Sequence, residues 1–156
     1  MTDAHTRAEL LAALEAERAA LVAVLARIDE SQWRAAARAD GWTVHDIAAH
    51  IADSTYGLAL LALGEAKTLL PLDPATGWMA PNQNNAERRG KNADLPREKV
   101  MSRLENAYAT ARRAVETVPD LDAAGPYGDI ISKRRFLTRI IEHTREHRGE
   151  IEAAGA

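Results

Sequence analysis

Apolar positions recur at helical spacing in four long stretches of the chain. In the first, Leu11, Leu14, Leu21, Leu25 and Ile28 fall three, four or seven residues apart, the seam of a helix packed in a bundle. Arg18 occupies the remaining place in that stripe and is expected to reach out along its edge. The pattern predicts a helix over about residues 3–29, then a connection over 30–41 containing Trp33. The second helix starts sharply. Thr43 has N-cap chemistry and Asp46 can return the hydrogen bond from the third helical position. Trp42, just before the cap, can staple onto Ile47. Val44, Ile47, Ile51, Leu58 and Leu61 mark the apolar side, and the helix is expected to reach about residue 69, ahead of Pro71.

Residues 71–92 contain three prolines, two glycines and four asparagines, and no strand pattern, so they read as a long crossover with a short helix near residues 82–89. Such a crossover lets two neighbouring helices run parallel. The third helix starts near Pro96, carries Val100, Leu104, Ala107, Ala111 and Val118, and ends before Pro119. A stretch rich in Pro, Gly and Asp leads to a fourth helix over about residues 129–154, with Ile130, Leu137, Ile140, Ile141 and Ile151. Four long helices without strands predict an all-α protein, a four-helix bundle with its long crossover between the second and third helices.

Composition narrows the chemistry. Alanine, the strongest helix former, fills 32 of 156 positions. There is no cysteine, which excludes disulfides, thiolate zinc sites and a cysteine nucleophile. Any thiol chemistry must use a thiol from outside the chain. With 20 Lys+Arg against 23 Asp+Glu the net charge is −3, which argues against a general nucleic-acid binder. Lys133-Arg134-Arg135 lacks interleaved aromatics and reads as a solvated helix end. No apolar run approaches a membrane span and the first residues lack a secretory pattern, so the expected compartment is the cytoplasm.

Five histidines remain to be explained. His143 and His147 stand four apart, so their rings differ by only about 40° around the helix. They share the side that carries Ile140 and Ile151, and His50 lies beside Ile47 and Ile51. All three are expected to face the interior. An inward imidazole is hydrogen-bonded, charged against a partner, or bound to a metal. A pair at four-residue spacing plus a third histidine from a facing helix forms a three-ligand set with open positions. Neutral imidazole suits zinc, nickel or iron. His45 and His5 are expected at the surface. His143 is followed by Thr144, so the glutamate of the zincin motif is absent.

The stretch Gly41-Trp42-Thr43-Val44-His45-Asp46-Ile47-Ala48-Ala49-His50-Ile51-Ala52 resembles the second-helix signature of DinB-like proteins. These include mycothiol-dependent maleylpyruvate isomerase N-terminal domains and bacillithiol transferases. His143-Thr144-Arg145-Glu146-His147-Arg148-Gly149-Glu150-Ile151 resembles their last-helix signature. The likeness covers nearly the whole chain as one domain over residues 1–156. It implies an up-down-down-up bundle, homodimers, and a divalent metal on His50, His143 and His147. It also implies thiol transfer or thiol-assisted isomerisation, with mycothiol as the co-substrate. The isomerases carry a second, C-terminal domain, so S-transfer or hydrolysis is expected ahead of maleylpyruvate isomerisation itself. The stretch from Trp78 to Arg89, with Asn82, Gln83, Asn84 and Asn85, is similar to a DfsB-type branch linked to self-protection against reactive natural products.

Other residues fall near this predicted site. Asp53 is expected either to orient a ligand histidine, to act as a base, or to be a plain exposed carboxylate. Glu150, three after His147, is a fourth ligand, a partner to a ligand, or a surface residue. Arg139, one turn before His143, is a candidate to meet an anionic substrate or a thiol's carboxylate. Asn85 and Arg89 from the crossover, and Tyr56 from the second helix, are candidates to line the pocket and bind the cofactor. The leading expectation is therefore a metal-dependent enzyme directing a low-molecular-weight thiol or water at a small electrophile. The rival expectation is a non-catalytic small-molecule-binding or self-resistance protein.

Overall fold

The computed structural model describes residues 5–73 and 82–155; for 82–84 it describes the backbone only. Among these described residues, six helices and a two-stranded hairpin follow in the order α1 (Arg7–Ala26), α2 (Glu30–Trp33), α3 (Val44–Leu63), α4 (Asn82–Asn92), α5 (Arg97–Thr117), β1 (Ala124–Gly125), β2 (Gly128–Ser132) and α6 (Lys133–Ala153). The chain is mostly helical, as the alanine content and the periodicity predict.

Capping chemistry sets the helix boundaries. Thr6 and Glu9 form a reciprocal capping box that starts α1, inside the predicted span. Asp29, expected to close that helix, instead caps α2 through a second box with Gln32. Thr43 and Asp46 form the third box, as anticipated. Gly64, with φ +75°, caps α3 after Leu63, six residues short of the expected end at Leu69. Pro96 sits at the N-cap of α5 rather than inside its first turn.

The largest departure precedes α6. Residues 129–132, expected to be helical, form β2, which pairs antiparallel with β1. Gly128 turns the hairpin with φ +75°, and the Ser132 hydroxyl accepts from the Arg135 amide to delay the helix start. Ile130, expected on an apolar helix face, is therefore 69% exposed on β2, whereas Ile131 is buried.

The apolar stripes meet in one core that includes Leu14, Leu21, Leu25, Ile47, Ile51, Leu104, Leu137, Ile140 and Ile151. Each such side chain stabilises the fold by about 1.5–3 kcal/mol relative to exposure. α3 packs along α5 and α6, and α1 packs along α6 and α5. Polar pairs tie the long helices at several levels. Arg134, at the start of α6, donates to the His5 carbonyl before α1, and Arg145 and Arg148 further along α6 hold Glu17. Arg7 donates to the Val115 carbonyl, while Arg18 pairs with Glu105. Arg113 near the end of α5 pairs with Glu65 beyond α3, and Asn92 before α5 donates to Asp53. No helix is long and apolar enough to cross a membrane, among the described residues. The predicted basic cluster is not a free patch, since Arg134 is paired with Asp122 and Arg135 with Glu142.

Candidate metal centre

The first half of α3 and the second half of α6 bring three histidines together. The Nε2 atoms of His50 and His143 lie 3.1 Å apart, and those of His147 and His143 3.0 Å apart. One nitrogen from each ring falls within 4.8 Å of the others, and all three residues are half-buried. This is the set predicted from spacing.

A neutral imidazole nitrogen is either a donor or an acceptor, never both. Three nitrogens converging on one another therefore cannot all satisfy one another with hydrogen bonds. A cation accepting three lone pairs resolves the conflict. Metal–imidazole bonds of about 2.0–2.1 Å put tetrahedral ligands on the order of 3.3 Å apart, close to the spacings here. The three residues thus fit a divalent transition ion.

The surroundings keep the His50 and His143 rings neutral. Burial, the neighbouring His147 and then Arg38 push the His50 pKa down to about 4. Burial, His147, His50 and Arg139 push that of His143 down to about 2. His143 Nδ1 is buried with no hydrogen-bond partner among the described residues. By contrast, His147 Nδ1 lies 2.6 Å from Glu150 Oε1. The carboxylate accepts that N–H, which leaves the Nε2 lone pair for the cluster. Ser54 Oγ sits 3.5 Å from His50.

The histidines open onto a cleft of about 440 Å³. Its described walls come from the connection before α3 (Arg38, Asp40, Trp42), from α4 (Asn85, Ala86, Arg89) and from α6 (Arg139, Glu146). The Trp42 indole stands edge-on to His50 at 5.6 Å, with the Arg38 guanidinium 4.7 Å from its centre. Arg38 also pairs with Asp40 and lies 3.6 Å from Glu150. Arg89 donates to Asp46, the α3 capping residue, and to the Gly41 carbonyl. Arg139 pairs with Glu146 and Glu142.

Asn85, Arg89 and Arg139 thus line the cleft. Glu150 reaches His147 from behind, as a partner to that ring. Among the described residues Asp53 makes no hydrogen bond to an imidazole; its carboxylate accepts from Asn92 and ties the end of α4 to α3. Tyr56 is 42% exposed and does not line the cleft among the described residues. Six residues beyond His50, it lies about 240° further around the helix. His45, expected at the surface, is buried between Trp33 and Asn92. Trp78 lies outside the described residues.

Spacing did not reveal Arg38, Asp40 or Glu146 as wall residues. For Glu146 a signal existed, since it stands three residues after His143 and seven after Arg139, on one helix face. Arg38 and Asp40 carried only the turn signal of Asp40-Gly41.

A helical protein with three histidines at the base of an open cleft is the class these features define. The family model of the DinB superfamily matches residues 13–151, and the chain belongs to that superfamily. No curated protein and no solved structure matches it.

Proposed function

We propose that this chain is a metal-dependent enzyme of small-molecule metabolism. His50, His143 and His147 hold a divalent transition ion, of which zinc, nickel and iron suit the imidazole set. Such an ion, when bound, lowers the pKa of a thiol or water and polarises an electrophile. The observation that carries this reading is the convergence of three imidazole nitrogens within 4.8 Å. The rest of the cleft orients the reactants. Arg139 and Arg89 face a carboxylate or other anionic group of the substrate or thiol, and Asn85 supplies a neutral amide. Glu150 holds His147 in the ligand tautomer.

The nucleophile is a low-molecular-weight thiol of the mycothiol kind, or water, because the chain has no cysteine. The partner is a small electrophile, and the reaction is S-transfer, hydrolysis or isomerisation in detoxification or specialised metabolism. The four long helices form one up-down-down-up bundle domain, a reading supported by the polar pairs. The pairs of α1 with α6 and of α3 with α5 advance in the same direction, whereas those of α1 with α5 run oppositely. A cytoplasmic homodimer, in the mycothiol-dependent or DfsB-type branch, completes the proposal.

Metal content of untagged protein tests it. About one equivalent of a transition metal in the wild type, lost in His143→Ala, is the expected result, followed by turnover when thiols and electrophiles are screened. No metal in either protein, and no uptake of added zinc or nickel, overturns it in favour of a small-molecule-binding or self-resistance protein using the same cleft.

A further inference from the structure

We infer that Arg38 is a positioning residue for the three-histidine site, acting through Glu150 on His147. The inference rests on the metal reading above. It concerns a residue from a connection that contributes no ligand.

The segment carrying Arg38 is a built turn. The amides of Ala37 and Arg38 both donate to the Trp42 carbonyl, at 2.7 and 3.2 Å, and Gly41 donates back to the Arg38 carbonyl at 3.0 Å. Ala36 and Thr43 form an isolated antiparallel bridge. Gly41 has φ +89°, a conformation glycine adopts without steric cost. The turn holds the Arg38 side chain over the Trp42 indole, where Asp40 takes two of its nitrogens. Its remaining terminal nitrogen, Nη1, faces Glu150 Oε1 at 3.6 Å. That oxygen is the one that accepts from His147 Nδ1 at 2.6 Å.

The order is therefore Asp40, Arg38, Glu150, His147. A carboxylate free to rotate holds an imidazole loosely. A carboxylate drawn by the charge of a guanidinium 3.6 Å away, itself clamped by a second carboxylate and an indole, holds it in a narrower range of orientations. The Nε2 lone pair of His147 then points at the other two histidines before any ion arrives. Arg38 makes no described hydrogen bond to the cluster, and its most direct route to His147 among the described contacts is Glu150; the longer one runs through the Trp42 and His50 rings.

Zinc affinity, measured by calorimetry on the chelator-treated full chain, tests this without reference to turnover. Glu150→Ala is expected to weaken zinc by about 10- to 100-fold, the usual effect of removing a partner behind a ligand histidine. Arg38→Ala is expected to weaken it in the same direction by a smaller factor, with Arg38→Lys recovering part of the loss. The decisive species is Arg38→Ala combined with Glu150→Ala. A series arrangement leaves the double variant no weaker than Glu150→Ala alone, whereas independent structural effects add. The cobalt(II) absorption spectrum, a second readout, is expected to change in Arg38→Ala. Glu150→Gln keeps the side-chain shape but removes the charge that faces Arg38, so if Glu150→Ala does not fold it takes its place in the double variant, where Arg38→Ala should then add nothing. Wild-type affinity in Arg38→Ala, or additive losses in the double variant, overturns the inference. Failure of the wild type to bind zinc, cobalt or nickel overturns the metal reading itself.

Discussion

The indole N–H of Trp33 donates to Nδ1 of His45 at 3.1 Å, and both side chains are buried. The other ring nitrogen of His45 meets the Asn92 carbonyl at 2.9 Å. His45 therefore carries its proton on Nε2 and accepts on Nδ1. This one ring connects α2, the first turn of α3 and the end of α4, the helix that walls the cleft. Trp33→Phe removes the donor and leaves a buried acceptor unpaired. A loss of about 1–3 kcal/mol in unfolding free energy is expected from urea denaturation. A variant as stable as wild type would show that the bond contributes nothing net.

His45 also marks what a sequence can and cannot show. His50, His143 and His147 were legible because helical spacing fixes which side chains share a face, and because the likeness to the DinB-like signatures joins the two helices in one site. Asp29 and Gln32 carry a local capping signature for the turn at residues 30–33, but nothing local announced that this turn buries Trp33 against His45. A tertiary partner on a short element reversed the expected exposure. The same limit hid Arg38, whose role depends on a turn meeting α6. The hairpin was missed for a different reason. Ile130 and Ile131 fit a helical count as well as a strand, and only the turn at Gly128 and the cap at Ser132 decide between them.

Gly125 tests the hairpin's packing on α6. A Cβ built there would lie 2.5 Å from Phe136 Cε2 and 3.0 Å from the Ile131 carbonyl oxygen. Phe136 is fully buried and cannot withdraw. Gly125→Ala is expected to destabilise the fold by about 1–3 kcal/mol through overpacking. Gly149→Ala, on α6 with nothing within 4 Å of the added carbon, is the control. It should be neutral or slightly stabilising, because alanine has the higher helix propensity. Thermal midpoints of the two variants moving together would contradict the assignment.

Glu17 is a carboxylate buried within the helical seam of α1, held by Arg145 and Arg148. Its side chain is 11% exposed, against 61% for Arg145 and 22% for Arg148. Removing the anion strands Arg148 more than Arg145. Glu17→Ala is expected to cost about 1–3 kcal/mol, below the range for fully buried pairs because the arginines remain partly hydrated. Glu17→Gln should recover part of the loss through its amide oxygen. An unchanged urea midpoint in Glu17→Ala would rule out a net contribution.

The metal-free protein should lose stability in mild acid, and the sign follows from the two buried rings. In the unfolded chain a histidine titrates near about 6.5. In the folded chain His50 stays neutral down to about 4 and His143 down to about 2. Between about pH 6.5 and pH 4 the unfolded state therefore binds more protons than the native state, and stability rises with pH. The contribution is fully present above about pH 6.5 and declines as pH falls through that window. Each histidine contributes a slope of up to about 1.4 kcal/mol per pH unit. Urea midpoints of chelator-treated protein at about pH 8, 6.5, 5.5 and 4.5 are the measurement. His143→Phe keeps a ring in the site but removes one titrating group, so its slope should fall by about half. A bound metal should flatten the profile near neutral pH and steepen it where protons begin to displace the ion. A flat metal-free profile between pH 6.5 and pH 4.5 would mean that the rings are not held neutral by burial.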